Sequence, residues 1–164
     1  MENSNNLVSV AIPTFNSSLY LKDCLKSLLD VQIIDEIIIS DDCSNDLEFE
    51  KINNIVNNLK TAKEIKIYRN EQNLGAFKNK YENIKKCKNE IVYQIDSDNI
   101  ASNNLSLVLN LIFMENNENY LYLPSKIYQF RKYPNFAKLL SIVSSKYKVT
   151  FTNNDFVFDK ETIQ

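Results

Sequence analysis

Short apolar runs alternate with stretches of helical periodicity along most of this chain, and this alternation constrains the fold more than any other feature. Strands are predicted at residues 7–12, 36–40, 65–69 and 90–95. The stretch after the first strand places Leu21, Cys24, Leu25, Leu28 and Leu29 on one face of a helix. Strands that alternate with helices predict the α/β class, with a mostly parallel sheet covered by helices on both faces.

Three further helices follow from the same spacing. For the third helix we expect Phe77, Tyr81 and Ile84 to be buried, with lysines on the wet face. Before it lies Gly75, the only glycine, which we expect to adopt a backbone conformation that other residues resist. The stripes of the second and fourth helices are Phe49, Ile52, Val56 and Leu59, and Leu105, Val108, Leu109 and Ile112. Farther on, a strand is predicted at residues 120–123, a helix around Phe136, Leu139, Leu140 and Val143, and a strand at residues 156–158.

Acidic residues follow two of the predicted strands. Asp96 and Asp98 end the fourth strand, one residue apart and therefore on one side of an extended backbone, and Asp41 and Asp42 end the second. In an open α/β sheet, ligands bind outside the carboxyl ends of the strands. Paired carboxylates there repel each other unless a cation or hydrogen-bond donors offset the repulsion. A divalent metal ion that also binds phosphate would supply the positive charge. The alternative interpretation is a solvated acidic turn that caps the following helix.

Composition excludes several kinds of chemistry. The 164 residues contain no histidine and one glycine, which excludes Ser-His machinery, the usual zinc sites and glycine-rich phosphate loops. The net charge of −2 argues against nucleic-acid binding. Three cysteines without C-x-x-C spacing indicate free thiols in a reducing compartment. Because no run is long enough to span a bilayer and no signal peptide is evident, we expect a cytoplasmic protein, with the inner face of the membrane left open.

Four segments carry a family resemblance. Residues 8–16 (VSVAIPTFN), 38–44 (IISDDCS), 73–75 (NLG) and 93–99 (YQIDSDN) resemble, in order, the motifs of the inverting nucleotide-sugar glycosyltransferases of the family 2 type. Each motif is weak alone, but together they cover about the first hundred residues at plausible spacings. The resemblance implies a three-layer α/β/α, Rossmann-like GT-A fold and a hexosyltransferase-type activity in polysaccharide biosynthesis.

The resemblance also implies roles for individual residues. Pro13, Thr14 and Phe15 would line the base pocket, while Asp42 would hydrogen-bond the base and Asp41 would support the loop. Lys80 stands where the family often has an arginine and could face the pyrophosphate or the base pocket. A solvated helix lysine is the alternative for Lys80, and helix capping is the alternative for Thr14 and Asn16. Cys43 stands at a position usually taken by glycine and is interpreted as a loop residue.

The Asp-x-Asp segment would bind the phosphates. Asp98 would be the main ligand to Mn²⁺ or Mg²⁺, Asp96 would lie near the ribose or the metal, and Ser97 would contribute to donor binding. A bound cation would neutralise the growing charge of a diphosphate leaving group. The implied donor is a UDP-sugar, since uridine is the family's commonest base, and the acceptor is a glycan or a lipid-linked sugar.

The catalytic base is not evident in this sequence. Inverting transfer needs a carboxylate that deprotonates the acceptor hydroxyl, and the family carries it in a later acidic motif. Residues 153–160 resemble the strand that precedes this motif, and Asp155, Asp159 and Glu161 do not match the expected position. We therefore expect one truncated GT-A-like domain, with residues 1–117 as the nucleotide-sugar-binding portion and residues 118–164 as the incomplete start of the acceptor side.

Two other functions stay open at this point. A non-catalytic module that binds nucleotide-sugars is favoured if the natural chain has no base. A receiver-like phosphoacceptor domain also holds Mg²⁺ at paired acids, but its acidic pair follows the first strand, which here ends in Pro13 and Thr14. Missing C-terminal structure could leave an apolar patch that forms a homodimer. A peripheral membrane contact could use the basic tail residues Lys126, Arg131, Lys132, Lys138, Lys146 and Lys148.

Overall fold

The computed structural model describes residues 7–115 and five later strands, at 120–121, 126–127, 140–141, 146–151 and 156–161. The chain divides into two compact units, Met1–Phe113 and Met114–Gln164. The division predicted after residue 117, with an acceptor-side role for the later residues, stays a prediction. No helix in the described ranges is long and apolar enough to cross a membrane.

The first unit is an α/β fold built on a parallel sheet. Its elements alternate along the chain: β1 Val8–Thr14, α1 Ser18–Leu29, β2 Ile34–Asp41, α2 Asp46–Asn57, β3 Glu64–Arg69, α3 Ala76–Ile84, β4 Ile91–Gln94 and α4 Leu105–Glu115. The four strands are parallel and lie in the order β3-β2-β1-β4. The predicted α/β class and parallel sheet are confirmed.

The second unit contains short antiparallel strands. They are β5 Tyr120–Leu121, β6 Lys126–Ile127, β7 Leu140–Ser141, β8 Lys146–Phe151 and β9 Phe156–Glu161. The strand β8 pairs with both β5 and β9, and β6 pairs with β7. The helix predicted around residues 136–143 falls largely outside the described residues, and Leu140 lies in β7 rather than in a helix.

The strand β1 lies in the middle of the sheet and is buried along its whole length. We predicted that it stops before Pro13, but it continues to Thr14, and Pro13 pairs with Ser40 of β2. The backbone of Thr14 faces β2, because its carbonyl accepts the amide of Asp42, so that of Pro13 faces β4. The Ile95 amide of the neighbouring chain segment donates to the Ala11 carbonyl, and the next hydrogen bond toward β4 would need the amide hydrogen that Pro13 lacks, so pairing with β4 ends there.

One face of the sheet is covered by an apolar core, and we call it the apolar face. Alternate residues of β1 and β2 point into it and meet helices α1, α2 and α4. Its main members are Val8, Val10, Ile12, Ile37, Ile39, Leu21, Cys24, Leu25, Leu28, Ile52, Leu105 and Leu109. The stripe predicted for α1 is confirmed except at Leu29, which is only half-buried, while Val108 of α4 is exposed rather than buried.

The other face lies beneath α3, and we call it the polar face. The buried residues of α3 are Asn79 and Asn83, one helical turn apart. The Asn79 side chain donates from Nδ2 to the Ser40 carbonyl of β2 at 3.0 Å, and Asn83 donates to the Ile38 carbonyl at 3.3 Å. The prediction for this helix was wrong, since Phe77 is 81% exposed and Tyr81 and Ile84 also face solvent.

Buried side-chain oxygens that make no hydrogen bond are concentrated on the polar face, although Lys66 Nζ lies 3.8 Å from one of them, Glu36 Oε2. Within the described residues, these side-chain atoms are Glu36 Oε2, Ser40 Oγ and Asn83 Oδ1. Glu36 and Ser40 alternate with the apolar-face residues of β2, and Asn83 lies opposite them on α3. The polar face thus depends largely on individual hydrogen bonds, beside the fully buried side chains of Ala11 and Ile38.

Candidate functional site

The carboxyl ends of β1, β2 and β4 and the connections after them meet at one rim of the sheet. Backbone hydrogen bonds extend the pairing past the strand ends: the amide of Asp42 donates to the Thr14 carbonyl at 2.8 Å, and that of Asn70 donates to the Asp41 carbonyl at 2.8 Å. The amide of Ile95 donates to the Ala11 carbonyl at 3.1 Å. The segments that we singled out in the sequence are therefore brought together in space.

A chain of hydroxyl groups joins the ends of β1 and β4. Thr14 Oγ1 lies 2.8 Å from Ser17 Oγ, and Ser17 Oγ lies 2.6 Å from Ser97 Oγ. Thr14 and Ser97 are both buried. Ser97 stands between the two aspartates of the Asp-x-Asp segment, so this chain fixes that segment against the end of β1.

Asp41 is buried beneath the loop that follows β2. Its carboxylate accepts hydrogen bonds from the backbone amide and the hydroxyl of Ser44, and the Arg69 Nε lies 3.5 Å away. Arg69 also donates to the Ser44 carbonyl at 2.6 Å and to the Asp46 carboxylate at 2.9 Å. The Arg69 side chain thus ties β3 to this loop, and its role was not foreseen from the sequence.

Asp42 anchors the connection that leads into α3. Its Oδ1 accepts the Leu74 amide at 2.8 Å and the Asn70 side chain at 2.9 Å, while Oδ2 accepts the Gly75 amide at 2.9 Å. Gly75 has a φ of 82°, so the predicted need for glycine is confirmed. The predicted hydrogen bond between Asp42 and a nucleotide base stays a prediction, and three of the four acceptor positions of this carboxylate are already used.

Lys80 extends from α3 to the Asp-x-Asp segment. Its ammonium group lies 2.7 Å from Asp96 Oδ1 and 3.0 Å from Oδ2. Gln94 donates to the same carboxylate at 3.1 Å. Because the Lys80 and Asp96 side chains are 34% and 41% exposed, a phosphate group arriving from solvent could reach this pair.

Asp98 and Phe15 lie at the exposed edge of the rim, while Pro13 is buried. Within the described residues, no group of three or more acidic or cysteine side chains is placed to hold a metal ion. Asp96 and Asp98 nevertheless fit a cation such as Mg²⁺, which is commonly bound by one or two carboxylates together with substrate phosphates and water. The donor set is of hard oxygens, as such an ion requires.

Cys24 of α1 lies behind the Asp-x-Asp segment. Its thiol is 3.7 Å from the Asp96 carbonyl. Burial, and after it the negative charges of Asp98 and Asp96, raise the pKa of Cys24 to about 12. The thiol is therefore protonated at neutral pH and is not a nucleophile.

Two loop residues of the rim have positive φ angles without being glycine. Asn16 has a φ of 47° and donates its amide to Ser44 Oγ at 2.8 Å. Cys43 has a φ of 61°, in the region that favours glycine. The contact between Asn16 and Ser44 was missed in the sequence, because it joins two loops that are far apart along the chain.

Known proteins resemble this chain in sequence and in fold. The family model described as glycosyl transferase family 2 matches residues 9–163. No curated protein sequence matches it. Among solved structures, residues 1–349 of S. aureus TarS are 25% identical with a TM-score of 0.55, over 66% of this chain and 32% of that one.

Two further structures are similar. The same TarS fragment in complex with UDP is 27% identical, with a TM-score of 0.53, 66% of this chain covered and 32% of that one. The mannosyltransferase PcManGT from Pyrobaculum calidifontis, in complex with GDP-Man and Mn²⁺, is 16% identical with a TM-score of 0.59, over 78% of this chain and 37% of that one, and shows likeness of fold alone. This chain thus spans about a third of these structures. Since the family match extends over most of the sequence, the chain belongs to glycosyl transferase family 2 and has the GT-A fold.

Proposed function

We propose that this chain is the donor-binding part of a glycosyltransferase that uses a nucleotide-diphospho-sugar, with UDP as the nucleotide. The observation that carries the proposal is the contact of Lys80 with Asp96 at the rim, two residues before the exposed Asp98 and beside the ends of β1 and β2. A lysine ammonium group close to an Asp-x-Asp segment suits a diphosphate that is bound together with a divalent metal ion. The similarity to a TarS fragment in complex with UDP supports this choice of ligand.

In this proposal different residues of the rim bind different parts of the nucleotide. Pro13, Thr14 and Phe15 bind the base, where Phe15 offers an exposed ring. Asp42 reaches the base through the remaining acceptor position of Oδ2, and Asp41 holds the loop through Ser44. Ser97 keeps the Asp-x-Asp segment at the end of β1, so that its carboxylates meet the phosphates.

The diphosphate half of the site relies on charge. Asp98, which is exposed, would be the main ligand of Mn²⁺ or Mg²⁺, and Asp96 would be the second. The metal would supply positive charge to the leaving diphosphate. Lys80 holds Asp96 in place before the donor arrives and adds its own positive charge beside the phosphates.

Transfer with inversion needs a base that this proposal leaves unassigned. Of the acidic candidates, Asp155 lies outside the described residues, and Asp159 and Glu161 lie in β9. We propose that the second unit contributes to an acceptor site for a glycan or a lipid-linked sugar. We further propose a cytoplasmic location, at the inner face of the membrane if the acceptor is lipid-linked. A module that binds nucleotide-sugars without catalysis is the second candidate, favoured by this lack of an assigned base.

The experiment that tests the proposal is calorimetric titration of UDP into the 164-residue chain, with and without Mn²⁺. We expect binding that requires Mn²⁺ and is abolished in Asp98→Ala. The matched control is Asp23→Ala, which removes an exposed carboxylate of α1 and should bind as the unmodified chain does. If UDP and the other nucleoside diphosphates fail to bind under both conditions, the donor-site proposal is wrong. If UDP binds as expected, an assay for sugar transfer to an acceptor distinguishes an enzyme from a module that only binds nucleotide-sugars.

A further inference from the structure

The outward side of α3 carries an apolar stripe. Phe77, Tyr81 and Ile84 follow one another at helical spacing and are 81%, 46% and 40% exposed. Asn79 and Asn83 occupy the inward side of the same helix and bind the carbonyls of β2. The helix is therefore amphipathic in the reverse of the usual sense, with its polar side on the protein and its apolar side outward.

Positive charge surrounds this stripe. Residues 76–88 contain five lysines and one glutamate, a net charge of +4 within a chain whose net charge is −2. Lys80 is paired with Asp96, Lys85 with Glu82, and Lys88 with Asp35 and Glu64. Lys86 donates to the Glu82 carbonyl at 3.1 Å. Lys78, Lys85 and Lys86 lie next to the stripe, and Glu82 is the single acidic residue among residues 76–88.

Two of these lysines lie over aromatic rings. The Lys85 ammonium is 5.0 Å from the centre of the Tyr81 ring, and that of Lys86 is 5.5 Å from the centre of the Tyr68 ring. Tyr68, at the end of β3, is itself 39% exposed. Apolar side chains, tyrosine rings and ammonium groups are thus combined on one surface, which we call the α3 surface and define as Tyr68, Phe77, Lys78, Tyr81, Ile84, Lys85 and Lys86.

We propose that the α3 surface binds an anionic lipid membrane. Phe77 and Ile84 would enter the boundary between headgroups and acyl chains, the tyrosine rings would lie at headgroup level, and the lysines would meet anionic phosphates. Charge complementarity selects a lipid surface over another part of the protein, because a covering protein segment would have to bury these ammonium groups. The proposal depends on the α3 surface and does not require sugar transfer.

The other exposed apolar residues lack this combination. Leu107, Val108, Leu111 and Met114 are exposed on α4, but α4 contains no lysine or arginine and includes Glu115. Leu19 on α1 and Leu47 on α2 are single exposed residues on the opposite side of the sheet. The α3 surface is also close to the rim, because the same helix provides Lys80 to Asp96. A protein bound to a membrane through α3 would therefore hold the rim near the lipid surface.

The test is flotation of the full 164-residue chain with phosphatidylcholine vesicles, with and without a quarter of phosphatidylglycerol. We expect binding to the anionic vesicles that falls as salt rises. The double variant Phe77→Ser/Ile84→Ser should bind at least about tenfold more weakly, because two apolar side chains no longer enter the lipid. Lys78→Gln/Lys85→Gln should also lose about tenfold, and only with the anionic vesicles. The matched control, Leu19→Ser/Leu47→Ser, removes two exposed leucines elsewhere and should bind within about twofold of the unmodified chain.

Several results would overturn the proposal. One is the absence of binding to anionic vesicles at low salt, and another is an equal loss of binding in the control variant. Sedimentation of the unmodified chain as a dimer that Phe77→Ser/Ile84→Ser dissociates, without lipid binding, would assign the surface to a second copy. A large drop in melting temperature of this variant, again without lipid binding, would show that another segment of the chain covers the stripe.

Discussion

On one side of the central sheet, α1, α2 and α4 pack leucine and isoleucine side chains against β1 and β2, whereas on the other side α3 places two asparagines against β2. The apolar face excludes water and gains free energy in proportion to the area that it buries. The polar face relies more on single hydrogen bonds, each of modest net free energy, and it contains buried oxygens that make no hydrogen bond.

This difference separates stability from positioning. The apolar face does not need to place any atom at an exact distance, since apolar contact has no direction. The polar face joins β2 to α3, and α3 is in turn joined to the rim through Asp42, Asn70 and Lys80. Hydrogen bonds are directional, so the polar face sets where Lys80 lies relative to Asp96.

The largest expected effect comes from the apolar face. Leu25→Ala should lower the free energy of unfolding by about 2–5 kcal/mol, because it leaves a cavity at a fully buried position of α1. Leu19→Ala, on the same helix but at an exposed position, should change it by less than about 0.5 kcal/mol. Urea denaturation monitored by circular dichroism measures both. Equal losses in the two variants would mean that the apolar face is not the main source of stability.

A substitution on the polar face should lower the free energy of unfolding less, but it should also weaken nucleotide binding. Asn79→Ala removes the hydrogen bond to the Ser40 carbonyl and the contact with Asn70, which itself donates to Asp42. We expect a loss of about 1–3 kcal/mol in urea denaturation together with weaker UDP binding in calorimetry. Asn54→Ala, at an exposed position of α2, is the control and should change neither. Unchanged UDP affinity in a folded Asn79→Ala protein would disconnect the polar face from the rim.

Asn83→Ala should have a smaller effect than Asn79→Ala. Its single hydrogen bond to the Ile38 carbonyl is 3.3 Å long, and the substitution also removes the unpartnered Oδ1. The expected loss in the free energy of unfolding is about 0.5–1 kcal/mol, measured by the same denaturation. A loss as large as that of Leu25→Ala would show that the two faces contribute equally.

The smallest effect concerns pH and the contact between α1 and α2. Hydrogen bonds from Lys51 and from the Ser18 amide lower the pKa of Glu48 to about 2 from its usual 4.5. A lowered pKa in the folded state contributes stability above about pH 4.5 that is lost as the pH falls toward 2. Glu48→Gln should therefore be slightly less stable than the unmodified chain at pH 6, and this difference should shrink toward pH 2.

Urea denaturation across this pH range measures the difference. The control is Glu50→Gln, at an exposed position of the same helix, and its stability should follow that of the unmodified chain at each pH. A Glu48→Gln deficit that is constant from pH 6 to pH 2 would mean that the carboxylate charge does not contribute.

The sequence predicts the elements of the first unit well because their periodicities are local. Valine and isoleucine residues mark β1, a run of isoleucine marks β2, and the leucine stripe marks α1. The orientation of α3 was mispredicted because two stripes of equal spacing compete in it, one apolar and one of asparagines. The usual preference for apolar burial selects the wrong one. Only the carbonyls of β2, which no local pattern reveals, decide in favour of Asn79 and Asn83.

The candidate site shows the same division. The acidic strand ends could be identified because each lies within one short segment. Their partners could not, since Ser17 meets Ser97 across 80 residues and Arg69 meets Ser44 across 25. Such contacts depend on the register of neighbouring strands, and one residue of slippage would turn each side chain to the other face.

The strand order also gives the rim a sequence of assembly. The strand β1 pairs with β2 on one side and with β4 on the other. Its second partner is synthesised much later, because Val8 pairs with Ile34 of β2 and with Ile91 of β4. During synthesis the β1-β2-β3 half, with Asp41 and Asp42, can form while residues 91–98 are still being added. Pairing of β4 with β1 closes the longest loop in the sheet. Asp96 and Asp98, which follow β4, are therefore the last acidic residues to reach the rim. A chain arrested after residue 90 would therefore hold one acidic half of the rim without the other.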